Sequence, residues 1–168
     1  METIFKRRSI RKYEDRPVEK EKIEKLLRAA MQAPSAVNQQ PWEFIVVQDK
    51  DKLNKLSETS DYSKMVANSA VTFVLLSRTE KMIVPGCVPQ DMGAAAENLL
   101  LEAADLGLGA VWLGVASIKE REDYVGKLFN LPNSVKPFAL ISVGYPDDEK
   151  NHFIDRFDET RVHYESWQ

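Results

Sequence analysis

Apolar positions along the chain change period several times, and each change marks an element. From Val18 to Ala33, Ile23, Leu26, Leu27, Ala30 and Met31 recur at helical spacing with Glu and Lys between them, which predicts an amphipathic surface helix stopped by Pro34. Trp42 to Gln48 is β-branched and aromatic over a strand's length and follows a turn-like run, predicting loop then strand. Asp49 to Glu58 reads as a short exposed helix, and Ala70 to Ser77 as a buried strand because its apolar run is unbroken.

Asp91 to Leu106 is rich in Ala and Leu nearly all round, the pattern of a helix buried on most faces, with Gly107 and Gly109 marking its end. Gly109 to Val115 predicts a strand, Lys119 to Asn130 an amphipathic helix through Val125, Leu128 and Phe129, and Pro137 to Tyr145 the last core strand. After Pro146 the character shifts. Residues 147–168 are polar with scattered aromatics, Phe153, Phe157, Tyr164 and Trp167, and need another surface to pack on. Helices and strands therefore interleave in one domain spanning residues 1–168, a length sufficient to enclose a cofactor.

Charge and composition narrow the function. Acidic residues number 26 against 23 basic ones, so the overall field disfavours nucleic acid and anionic membranes, and any basic site must be local. No segment has the length and apolarity of a signal peptide or bilayer span, and the single cysteine, Cys87, suits a reducing compartment, so a cytoplasmic location is expected. His152 and His163 stand without further ligands at metal spacing, and no phosphate-loop, zinc-protease or serine-hydrolase motif is present.

Three segments remain as candidates for chemistry. Arg7-Arg8-Ser9-Ile10-Arg11-Lys12 offers planar guanidinium forks suited to phosphate, or simply a solvated basic face. Ala33 to Trp42 holds Asn38, Gln39 and Gln40 between Pro34 and Pro41; its amides match the alternating donors and acceptors of a pyrimidine edge, or form an ordinary polar turn. Leu106 to Gly114 brings glycines to a strand end, yet Trp112 occupies the place of the third glycine in a dinucleotide fingerprint, leaving a helix cap and turn as the plainer reading.

Taken in order, Arg7-Arg8-Ser9-Ile10-Arg11, Pro34-Ser35-Ala36-Val37-Asn38-Gln39-Gln40-Pro41-Trp42, Leu106-Gly107-Leu108-Gly109 with Trp112-Leu113-Gly114, and Val143-Gly144-Tyr145-Pro146 resemble the nitroreductase family of flavoproteins over nearly the whole chain. The resemblance implies an α+β fold with a mainly antiparallel central sheet flanked by helices, in an intertwined homodimer with FMN at the subunit interface. It places Arg7, Arg8, Ser9 and Arg11 on the phosphate and ribityl chain, joined by Arg156 with Arg161 in reserve. It also places Pro34, Ser35, Asn38 and Gln39 on the cofactor across the interface, and the backbone N–H groups of Leu113 and Gly114 toward flavin N5. The implied activity is hydride transfer from NADH or NADPH to a small organic acceptor such as a nitroaromatic, quinone or flavin. A non-catalytic flavin-binding module for storage or sensing shares the same motifs; a helical interaction protein with a phosphate-binding N-terminus would take up no FMN.

Overall fold

The computed structural model describes residues 2–148 and 150–167. The element order is α1 (Thr3–Lys6), α2 (Lys20–Met31), β1 (Trp42–Val47), α3 (Lys50–Leu56), β2 (Val71–Arg78), α4 (Val88–Asp105), β3 (Gly109–Gly114), α5 (Lys119–Leu128) and β4 (Val135–Gly144). Single-turn or 3₁₀ segments lie at Ala36–Asn38, Asp61–Asn68, Pro85–Cys87 and Glu159–Arg161. The strands form one antiparallel sheet in the order β1-β2-β4-β3. This is the α+β architecture that the motifs imply.

Both faces of the sheet are covered, which explains why β2 carries seven consecutive buried residues rather than an alternating pattern. On one face Ile23, Leu26 and Ala30 of α2 and Met92, Ala96, Leu99 and Ala103 of α4 pack on Phe73, Leu75, Ile141 and Val143. On the other, Leu53, Leu56, Val66 and Val125 pack on Val74, Leu76, Val111 and Leu140. The expectation of an exposed helix over Asp49 to Glu58 is thus half right: Leu53 and Leu56 are fully buried. Asp49 caps that helix by accepting from Lys52 N–H at 3.0 Å.

Two boundaries differ from the sequence pattern for local reasons. Helix α4 starts at Val88, earlier than its apolar run, because Pro89 in the first turn has no N–H to leave unsatisfied. Strand β4 starts at Val135, before Pro137, although it lies between two neighbours. A register shift at Leu75/Leu76 accommodates the proline, and Phe138 falls within the resulting bulge. The carbonyl of Phe138 accepts from both Val115 N–H and Ala116 N–H.

Candidate functional site

The N-terminal segment is laid onto the open side of β3. Ile10 N–H donates to Ala110 O at 3.0 Å, and bridges join Ser9 to Ala110 and Tyr13 to Pro146. Ile10 and Tyr13 are buried anchors, whereas Ser9, Arg11 and Lys12 point outward. The Tyr13 hydroxyl donates toward Ile10 O at 2.8 Å and Ser142 O at 3.1 Å. Two glycines make this seating possible: a Cβ on Gly109 would meet Ile10 at 2.5 Å, and one on Gly144 would meet Tyr13 at 2.9 Å. Gly109, expected as a helix-end and strand-start glycine, is also the bed of the basic segment.

Arg7, Arg8 and Arg156 line one cleft of about 560 Å³ with Ile4, Phe5 and Glu97. Arg7 pairs with Glu97 at 3.4 Å. Arg8 is committed to backbone, donating to Arg7 O at 2.6 Å, His152 O at 3.0 Å and Phe5 O. Desolvation, followed by the charges of Arg156 and Arg7, pushes the Arg8 guanidinium below its ordinary value. Three cations against two carboxylates, Glu97 and Asp155, leave the cleft net positive, a local well for an anion. Arg161 is not among them, since it binds its own Asp158 at 2.9 Å. Arg11 lines a different cleft with Tyr13, Lys50, Asn68 and Asp147, and one of its N–H groups reaches Ser9 O at 3.2 Å.

Asn151 has no distinguishing signal in the sequence. Its Oδ1 accepts from Arg8 N–H at 2.9 Å and its Nδ2 donates to Leu108 O at 3.0 Å, so one amide ties the tail to the arginine segment and to the entry of β3. Ile154 N–H donates to Phe5 O at 3.0 Å, extending that seam.

Beyond Ala110 the outer edge of β3 is open. Because the Ala110 carbonyl faces Ile10, strand alternation turns the backbone groups of Trp112 and Gly114 to the same edge, and those of Val111 and Leu113 toward β4. The expectation that Leu113 and Gly114 both offer N–H groups outward is therefore corrected: Gly114 does, Leu113 does not. The Gly114 carbonyl accepts from Arg121 at 2.9 Å. Gly114 also lines a cleft of about 600 Å³ with Trp112, Phe138, Met82, Pro85 and Arg78. Trp112 and Phe138 tilt against each other at 5.7 Å and give this cleft an aromatic wall.

The loop between α2 and β1 is held in an unusual shape. Val37, Asn38 and Gln40 have φ of 47°, 56° and 45°. For a β-branched valine such a conformation costs on the order of 1–3 kcal/mol and persists only where the surroundings enforce it. Enforcement comes from Ser35 Oγ, which accepts from Gln40 N–H at 3.0 Å, and from Asp91, whose Oδ1 accepts from Ala36 N–H at 2.9 Å. Gln39 is also consumed in this way. Its Nε2 donates to Asp91 Oδ2 at 2.7 Å and Val84 O at 3.1 Å, and its Oε1 accepts from Val84 N–H at 3.0 Å. Within the chain the Gln39 amide thus uses both Nε2 hydrogens and one lone pair of Oε1. Pro34 and Asn38 are exposed and Ser35 half-buried. The loop lines neither the arginine cleft nor the Gly114 cleft of its own chain.

Among the described residues no group of three or more His, Cys, Asp or Glu could hold a metal, and no helix is long and apolar enough to cross a membrane. What remains is an α+β protein with an arginine-lined cleft and a second, aromatic-walled cleft that includes Gly114 of the edge strand β3. The chain belongs to the Nitroreductase family, whose model matches residues 4–81 and 59–145. It is 44% identical, over 99% of its length and 98% of the relative's, to a protein of Archaeoglobus fulgidus provisionally named NADH dehydrogenase/NAD(P)H nitroreductase. A crystal structure from Clostridium acetobutylicum, described provisionally as an NADH oxidase, superposes with a TM-score of 0.97 at 56% identity, covering 98% of this chain and 99% of that one. An FMN-dependent nitroreductase from Clostridium difficile R20291 superposes at 0.91 with 36% identity over 99% of both chains.

Proposed function

We propose that this chain is an FMN-dependent oxidoreductase, acting as a homodimer, that passes a hydride from NADH or NADPH to a small organic acceptor such as a nitroaromatic, quinone or free flavin. The observation that carries the reading is the convergence of Arg7, Arg8 and Arg156 on one cleft, at the start of a segment that Ile10 seats on the edge of β3. Family membership and the FMN dependence of the C. difficile relative support it.

In this reading Arg7 and Arg156 hold the phosphate, while Arg8 shapes the well through its backbone-bound guanidinium. Ser9, exposed on the same segment, takes the ribityl chain, and Arg11, which lines a different cleft, adds its charge from the far side of Ile10 rather than from the well. Pro34, Ser35 and Asn38 reach the cofactor of the partner subunit, consistent with a loop that meets neither cleft in its own chain. FMN, when bound, supplies the centre that takes up and releases the hydride. The chain's own part is electrostatic and steric. Gly114 N–H and the guanidiniums favour negative charge at the ring and phosphate, and Trp112 with Phe138 gives a planar reactant a dry surface.

Anaerobic addition of NADH or NADPH should bleach the yellow protein within the mixing and turnover time, and initial rates should give parallel double-reciprocal lines. A bound flavin that neither nicotinamide reduces would refute the enzyme and leave a storage or sensing module. Intersecting lines would reject alternate use of one cleft.

A further inference from the structure

Asp91 is a nearly fully buried carboxylate, 5% exposed, near the N-terminus of a helix whose buried face is otherwise apolar. No ion pair among the described residues reaches it. The positive end of α4 favours its charge. Burying a carboxylate is costly unless it is well bonded, and its bonds here go to two loops. One oxygen takes Ala36 N–H at 2.9 Å, inside the left-handed loop; the other takes Gln39 Nε2 at 2.7 Å. Gln39 then pairs with both the N–H and the C=O of Val84, as a neighbouring strand would. Val84 directly precedes Pro85 and follows Met82 by two positions, and both line the Trp112 cleft.

We propose that Asp91 is a positioning residue: through Ala36 and Gln39 it makes the Ser35–Gln40 loop and the Met82–Val88 wall a single unit, so that contact with the cofactor and fit of the acceptor are set together. The assignment of those two surfaces rests on the functional reading above; the mechanical linkage rests on the hydrogen bonds alone. Its chemical basis is that a carboxylate can accept both N–H groups at once. An amide of the same shape has only one acceptor oxygen and must turn its NH₂ against the other donor.

Asp91→Asn is therefore the test, with Gln39→Glu as its partner. In the double variant the amide introduced at position 91 keeps Ala36 N–H on its oxygen and donates to the carboxylate introduced at position 39, which still accepts Val84 N–H, whereas the Val84 carbonyl loses the donor that Gln39 Nε2 gave it. Amide hydrogen exchange is measured on the full chain without flavin. In Asp91→Asn, exchange should accelerate together in residues 35–40 and 82–87, by roughly tenfold or more, with the β2 and β4 amides unchanged; the double variant should recover protection in residues 35–40 while residues 82–87, short of the bond to Val84 O, stay fast. With FMN saturating and 1,4-benzoquinone as acceptor, Asp91→Asn should raise KM roughly three- to tenfold with little change in kcat, and weaken FMN binding by a similar factor.

Acceleration in only one of the two loops in Asp91→Asn, no recovery of residues 35–40 in the double variant, or an unchanged acceptor KM in Asp91→Asn would overturn the linkage. A variant too unstable to study would be replaced by Asp91→Glu, for which the proposal expects both acceptor oxygens to persist and exchange in the two loops to change in parallel; divergent changes would also overturn it. The outcomes separate cleanly. If the wild type takes up no FMN, the functional reading falls while the exchange result still decides the linkage.

Discussion

Ile10 rests on Gly109 so closely that a β-carbon on the glycine would lie 2.5 Å from Ile10 Cγ2 and 2.7 Å from its Cβ. Through this contact a glycine on an edge strand sets the position of arginines at the chain's beginning. Overpacking at such a site costs about 1–3 kcal/mol, so Gly109→Ala should lower the melting temperature by several degrees. It should also purify with less flavin, because Arg7 and Arg8 flank the displaced segment. A variant that melts as the wild type does, with full flavin, would show that Ile10 does not set the site.

The arginine cleft predicts an order among guanidiniums. Loss of one charge-assisted phosphate contact costs roughly 1.5–3 kcal/mol, or about ten- to a hundredfold in affinity, for Arg7→Ala and Arg156→Ala. Arg161→Ala should leave FMN affinity nearly unaltered, since Arg161 is bound to Asp158. Fluorescence titration of apoprotein with FMN reads all three. Equal losses at Arg156 and Arg161 would contradict the placement.

The tail predicts association. Phe157, Tyr164 and Trp167 are each more than three-quarters exposed, a concentration of aromatic surface that a lone chain does not cover. Sedimentation at micromolar concentration should give twice the chain mass, and the combined substitutions Phe157→Ser, Tyr164→Ser and Trp167→Ser should shift the equilibrium toward monomer. A monomeric wild type with bound FMN would end the dimer proposal.

A pH signature follows from the staple between the chain start and the Gly144-Tyr145 turn. Hydrogen bonding from the Tyr145 hydroxyl, at 2.6 and 2.9 Å, is the leading cause holding the Glu19 carboxyl below its usual 4.5. With the folded value depressed, this contribution is fully present above about pH 4.5 and fades as pH falls through the folded value. Tyr145→Phe should therefore reduce the melting temperature at neutral pH, and the gap to wild type should narrow below pH 4. A gap that stays constant however far the pH is lowered below 4.5 with the protein still folded would mean that Glu19 is not the group involved. The ring also carries Arg16 at 3.7 Å from its centroid, a contact that phenylalanine keeps.

Much of the fold was legible because it is written in local periodicity. Residues 18–33, 91–106 and 119–130 showed their helices through apolar spacing, and each core strand showed its run of branched residues. The Asp61–Asn68 segment did not show. Its fully buried Val66 lies in a short apolar run, Met65 to Ala67, too brief to show a period, with Tyr62 exposed, and packing under the second face of the sheet decides its burial. The site was legible in part. Arginine clustering and a strand-end glycine are visible as residue types, but the same amide chemistry that suits a flavin in Gln39 suits a backbone peptide equally, and Val84 is the partner it meets. Asp91 did leave a trace, as an acid in the first turns of an apolar helix.

By itself the sequence determined the alternation of helices and strands, the absence of a dinucleotide fingerprint, and the set of groups able to attract a phosphate, since these depend on side-chain type and spacing along a few turns. Only the tertiary structure decided which of those groups converge. Asn151 meets Arg8 across 143 positions, and Arg156 joins the well while Arg161 turns to Asp158. Contacts of that separation leave no local pattern, because their free energy depends on where the intervening chain has been placed rather than on the residues beside them.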